Sequence, residues 1–263
     1  MTESTPRLPG LIKGSIAWHL IGAAALAAAP SRWPWVTTAL VANHALIALA
    51  GIMPRAQILG PCRSRLAPPK SAGGRIALTF DDGPDPEVTP AVLKLLEDRG
   101  VAATFFPIGQ RAANHPSLVE RITAAGHSLG NHSWSHSPAF FFHSLPRLAE
   151  EIDRSQEFLE AHGGKRPVHF RAPAGIRGPF LQPMLERRGM DLTAWNRRGF
   201  DTTDTQPYRI LKRLTRRLGP GDILLLHDGS SARASDGRPV VLQVLPRLLD
   251  AIEARGLTPV ALT

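Results

Sequence analysis

Arg75-Ile76-Ala77-Leu78-Thr79-Phe80-Asp81-Asp82-Gly83-Pro84 is an apolar run that ends on two adjacent carboxylates and is broken at once by Gly-Pro. The run reads as a buried strand and the dipeptide as its turn. Neighbouring side chains at a strand's end point in different directions. One carboxylate can therefore bind a metal while the other moves a proton, a division that suits metal-assisted hydrolysis. Taken alone, the segment is equally a simple turn, where Asp is common. The residues around it decide.

Beyond Arg75, strand-like runs alternate with helix-like ones. The pattern predicts strands at 75–80, 102–108, 127–131, 168–172, 191–195, 221–227 and 258–262. Helices are predicted at 88–99, 115–125, 145–161, 178–188, 207–218 and 240–255. Gly100, Gly126, Gly189 and Gly256 fall where helices stop, as C-terminal glycines do. Such alternation implies a parallel sheet wrapped by crossover helices. Seven strands predict an α/β fold, an incomplete (β/α)7 barrel. In barrels of this kind, chemistry gathers at the C-terminal ends of the strands. Asp81, Asp82, His132, Arg171, Asp201 and His227 all fall at or just past such ends.

Residues 1–72 carry seven Lys or Arg against one acid, Glu3, whereas the remainder has 24 basic and 21 acidic residues. The net charge of +9 thus belongs mainly to the N-terminal region. With no interleaved basic and aromatic stripe, a nucleic-acid partner is not expected. Cys62 is the only cysteine, which excludes an intrachain disulfide or a thiolate zinc cluster.

Eighteen residues without Asp, Glu, Lys or Arg separate Lys13 from Arg32, and 22 more separate Arg32 from Arg55. Each run is near the roughly 20 residues that cross a bilayer. Trp33 and Trp35 sit in the connector, where interfacial aromatics belong. The region 1–55 therefore reads as a membrane-associated helical hairpin, 56–73 as a linker, and 74–263 as the catalytic domain. Arg7 and Lys13 precede the first span, Arg55, Arg63, Arg65 and Lys70 follow the second, and only Arg32 lies between. The positive-inside rule then predicts an inner-membrane protein with its main domain facing the cytoplasm. Two other readings stand beside this one: a cleaved signal peptide at the first run, and two soluble helices packed on the domain. His19, Asn43 and His44 are expensive in lipid.

Asn131-His132-Ser133-Trp134-Ser135-His136 carries histidines at i and i+4, a spacing that on one helical turn would put both imidazoles on one face. With Asp82 they make two nitrogens and one oxygen, a set that suits zinc with an open position and accepts other divalent metals.

Thr79–Pro84 and Asn131–His136 together resemble the first two motifs of the polysaccharide deacetylases, the NodB-homology domain of carbohydrate esterase family four. Arg171-Ala172-Pro173-Ala174-Gly175, Trp195 through Asp201, and Leu225-Leu226-His227 are similar to the third, fourth and fifth motifs, in order. The resemblance covers residues 73–263 and implies a mechanism. Asp82, His132 and His136 would hold one divalent metal, most simply zinc. Asp81 would be the general base, with Arg171 orienting it and pairing its charge. The backbone amide of Ala174 would help hold the oxyanion, and Leu225 would line a small acyl pocket. His227 would protonate the leaving amine, with Asp201 raising its pKa and fixing its tautomer. His115, His127, His143, His162 and His169 match no motif position and are expected to be structural.

Two departures bear on substrate. Ala174 stands where the family usually has an aromatic, and Thr202 where it usually has Trp. The sugar platform is reduced, which points away from a long polymer. Ala139-Phe140-Phe141-Phe142 either folds back into the core or forms a lipid-facing lip. The expected function is a membrane-anchored N-deacetylase of an amino-sugar glycan or lipid-linked saccharide. Alternatives are removal of formyl or another acyl group from a sugar on a lipid carrier, and a glycan-binding pseudoenzyme. Retention of Asp81, Asp82, His132, His136 and His227 argues for catalysis over binding alone.

Overall fold

The computed structural model describes residues 8–67 and 74–263. Strand β1 (Gly74–Asp81) is the centre of the sheet. It pairs in parallel with β2 (Thr104–Phe106) on one side and β7 (Ile223–His227) on the other. Beyond β2 lies β3 (Ser128–Leu129), and beyond β7 lies β6 (Arg197–Arg198). At the start of β1, β8 (Leu257–Pro259) joins it. A second ladder pairs β4 (His169–Phe170) with β5 (Asp191–Leu192). The single bridge between Asn131 and Phe170 links the two ladders. The wall is therefore an incomplete parallel barrel, as the alternation predicts. The two-residue strand β6 has no counterpart among the predicted strands.

Period-two alternation sorts the side chains of β1 and β7. Ile76, Leu78, Phe80, Leu224 and Leu226 point outward into a core shared with α3 (Val88–Glu97), α8 (Pro207–Thr215) and α9 (Val240–Glu253). Ala77, Ile223 and Leu225 point inward, with Phe106, Phe170 and Trp195. Thr79, Asp81 and His227 keep the inward phase. The register pairs Asp81 with His227, so two groups 146 positions apart meet at one rim.

Helices α4 (Gly109–Asn114), α5 (Pro116–Ala124), α6 (Leu145–Gly163) and α7 (Leu181–Glu186) complete the outer layer. The stretch read as a linker is not loose over its described part. Arg63 bridges to Thr193 and Arg65 to Asp222, while Leu59 and Cys62 are buried. Residues 68–73 lie outside the described residues, as do 1–7.

The N-terminal hairpin is α1 (Gly10–Ala28) and α2 (Trp33–Ile52), joined by a short 3-10 turn. Both are long and apolar enough to cross a membrane, and little of either is buried. Their polar side chains face one another. Asn43 donates to the Ser15 hydroxyl at 2.7 Å, and His44 Nε2 meets His19 Nε2 at 3.2 Å. Pairing across the seam is how polar groups are accommodated in lipid. The end of α2 is docked on the barrel. Arg177 N–H donates to Gly51 O at 3.1 Å. A Cβ on Gly51 would lie 2.5 Å from the Phe141 ring and 2.7 Å from Arg177 O.

Candidate active site

Asp81 is the last residue of β1, and Asp82 leaves the strand in the left-handed region, with φ +70°. That turn separates the neighbouring carboxylates. Asp81 Oδ1 accepts from Arg171 Nη1 at 2.6 Å. Asp82 Oδ1 instead lies 3.3 Å from His132 Nε2 and 3.4 Å from His136 Nε2. Arg111 Nη1 donates to Asp82 O and Gly229 O, which ties the loops after β1 and β7 together.

The two histidines converge, but not on a helical turn as their spacing suggested. Residues 132–136 form an irregular loop in which Ser133 and His136 have φ of +62° and +52°. Side chains hold this loop in place of a helix's own ladder. Asn131 Oδ1 accepts from Ser133 N–H, and Ser133 Oγ accepts from His136 N–H. Glu151, buried on α6, accepts from Trp134 N–H at 3.1 Å and from Ser135 N–H and hydroxyl at 2.8 Å. Arg147 balances its charge at 2.8 Å. His132 Nδ1–H donates to Arg171 O at 2.8 Å, which fixes the tautomer and turns the Nε2 lone pair toward Asp82.

The ligating atoms of Asp82, His132 and His136 all lie within 4.8 Å of one another. Asp82 Oδ1 is buried with no hydrogen-bond donor, and leaving such an atom unmatched is costly. Burial works against the Asp82 charge, yet the imidazoles of His132, His227 and His136 hold its carboxyl well below the ordinary range. Burial and the neighbouring His132 push His136 down, toward the neutral form that ligates metal. One carboxylate oxygen, two imidazole nitrogens and an orphaned acceptor together fit a divalent cation.

Arg171 is fully buried and supports the set from below. Besides Asp81 it donates to Thr79 Oγ1, Thr193 O and Ala194 O, and its guanidinium lies over the Phe106 ring at 4.1 Å. Across the rim, His227 Nδ1 and backbone N–H both contact Asp201, at 2.9 and 2.8 Å. The carboxylate accepts both protons, which leaves His227 Nε2 for the cavity. Burial opposes the charged imidazole, but Asp201, with Asp81 and Asp82, outweighs it and raises the pKa. Leu225 is buried on the inward face of β7, and Ala174 sits at the rim with φ +54°. The structure thus brings all the sequence-predicted site residues to one end of the barrel.

Glu151, Arg111 and Asp228 escaped sequence reasoning. Glu151 belongs to no motif, and its only signal is a position among buried residues of α6. Asp228 follows His227 and accepts from the Thr89 hydroxyl at 2.6 Å. Burial, then Asp82 and Asp81, push it up to about 7. The phenylalanine run is split between the core and the surface. Phe140 folds back onto Phe170 with ring centroids 5.9 Å apart, whereas Phe142 is 82% exposed.

Comparison with known proteins places this geometry. The profile of the family described as Polysaccharide deacetylase matches residues 69–192. Over 191 residues the chain is 35% identical to the chitooligosaccharide deacetylase of Azorhizobium caulinodans, covering 69% of this chain and 89% of that protein. It is also 35% identical to the peptidoglycan-N-acetylglucosamine deacetylase of Bacillus cereus, covering 66% and 81%. A family 4 carbohydrate esterase from Streptomyces lividans, solved with acetate, superposes with a TM-score of 0.65 at 30% identity, over 73% of this chain and 95% of that one.

Proposed function

We infer that this chain, which belongs to the polysaccharide deacetylase family (carbohydrate esterase family four), divides the work of amide hydrolysis among Asp81, Asp82, His132, His136, Arg171 and His227. It is an N-deacetylase that acts on an acetylated amino sugar. The substrates of its relatives, chitooligosaccharide and peptidoglycan N-acetylglucosamine, set the sugar class.

Asp82, His132 and His136 would hold one divalent metal, with zinc favoured by the two nitrogens and one carboxylate. When bound, the metal supplies Lewis-acid polarisation of the amide carbonyl and lowers the pKa of a water beside it. Asp81 is the general base, and it works through Oδ2 because Arg171 occupies Oδ1. Oδ2 lies 3.7 Å from His132 Nε2, on the side of the ligand set. The Ala174 N–H donates to the oxyanion as the carbonyl becomes tetrahedral. His227 Nε2 gives its proton to the nitrogen as the C–N bond breaks, with Nδ1 held by Asp201. The products are acetate and the free amine. Leu225 closes the space around the acyl methyl.

The hairpin would anchor the catalytic domain in the inner membrane, facing the cytoplasm. Side-chain pairing between α1 and α2 supports an anchor rather than a cleaved leader, and the flanking basic residues support the orientation. A lipid-linked saccharide is the substrate form that fits a membrane-held site with a reduced sugar platform.

The observation that carries the reading is the orphaned Asp82 carboxylate among two imidazoles, beside a second carboxylate held by arginine. Acetate release from N-acetylglucosamine oligomers by the full chain, before and after chelation, tests it. Release that stops on chelation and returns with zinc is expected. Release that survives removal of all divalent metal refutes it.

A further inference from the structure

An apolar groove of about 400 Å³ opens beside the ligand set, and neither His227 nor Leu225 lines it. Ala48 and Ile52 of α2 form one wall, Phe141 and Phe142 the other, and His136 and Ala174 the inner end. The membrane-type helix is therefore part of the active-site rim. The groove runs from a catalytic group to a helix surface built to face lipid.

This wall is built, not incidental. Gly51 is packed so tightly against Phe141 and the Arg177 carbonyl that no Cβ fits. The Arg177 amide holds Gly51 O, Pro54 lies against Gly175, and the Cys62 thiol donates to Pro54 O. At the outer end, Phe142 and Ile52 leave large apolar faces uncovered where α2 stops. Uncovered apolar faces at a site's rim suit an apolar ligand.

Chemistry narrows the occupant. A groove for a soluble glycan needs hydrogen-bond partners for hydroxyls, and only His136 and Ser137 of this lining carry polar side chains. The acyl methyl is excluded by position, because Leu225, assigned to it, does not line the groove. What remains is the part of the substrate beyond the sugar, and continuity with α2 makes that part hydrocarbon. We propose that this groove is the aglycone subsite, which seats the first hydrocarbon units of a lipid carrier joined to the amino sugar. The assignment rests on the deacetylase reading and deepens it.

The test uses the full chain in detergent and two probes: N-acetylglucosamine joined through phosphate to farnesyl, and the same sugar phosphate joined to methyl. The farnesyl probe should be turned over with kcat/KM higher by about tenfold or more, since each buried methylene adds severalfold. Ala48→Trp, at an exposed position, fills the groove, and Phe142→Ser removes its lip. Each should lower the farnesyl-to-methyl ratio severalfold or more. A photoreactive farnesyl probe should label residues 48–52 or 140–142. Equal turnover of both probes, or a ratio that both variants leave intact, overturns the subsite. Acetate release from neither probe strikes at the deacetylase reading instead, and labelling elsewhere on the chain then still overturns the subsite.

Discussion

Two clusters in this molecule draw on the same side chains and come to opposite ends. At the barrel mouth, Asn131, His132, Ser133 and His136 close around a carboxylate. In the hairpin, Ser15, His19, Asn43 and His44 face one another with no acid among them. At the mouth Asn131, His132 and Ser133 are buried and neighbouring side chains hold the loop's amides, so its imidazoles are aimed. The hairpin pairs join two apolar helices and leave His19 and His44 exposed. Residue type does not make a metal site. A buried carboxylate and a held geometry do.

Substitutions can break this contrast. The largest loss is expected from Asp81→Asn, which should lower kcat by about 10²–10⁴-fold while metal content, read by elemental analysis, stays near that of the parent. Glu151→Ala touches no ligand, yet it removes the acceptor for the 134–135 amides. It should weaken metal affinity by about 10–100-fold in competition with a chelator dye. If affinity is unchanged, the loop is not held as described.

A pH profile sharpens the same point. In its proposed role His227 must be protonated, and its pKa is raised from 6.5. The alkaline limb of kcat should therefore lie above 6.5, and Asp201→Asn should move it down. The sign for stability agrees. The contribution from a raised histidine is present below 6.5 and lost as pH rises through the folded value.

Smaller effects belong to the seam and the hairpin. Gly51→Val should destabilise the docking of α2 by about 1–3 kcal/mol through overpacking, read as a lower melting temperature in detergent. Asn43→Leu should cost only about 0.6 kcal/mol, the scale of a polar contact between membrane helices.

Much of the site was legible because the barrel's alternation is local. The run 75–82 announces its strand, and a strand's end announces a rim. Asp81 and Asp82 followed from that logic, whereas His227 was singled out by the order of the motifs. The histidine loop did not, because its convergence depends on left-handed Ser133 and His136 and on Glu151 from a distant helix. Nothing at i and i+4 separates such a loop from a helical turn. The described part of the predicted linker was misread for a related reason. Its Pro and Gly signal irregular backbone, but irregular backbone can still bridge strands, as Arg63 and Arg65 do. The double use of the phenylalanine run needed the barrel and α2 in place before either face had a partner.

Hydrolysis is expected to depend on a metal held by Asp82, His132 and His136. The most direct test is metal content and acetate release measured together on the full chain, beside His132→Ala and Asp81→Asn. One divalent metal per chain is expected in the parent and in Asp81→Asn, with release only in the parent, and neither metal nor release in His132→Ala. Folded parent protein that binds no divalent metal, or release that persists in His132→Ala, would contradict it.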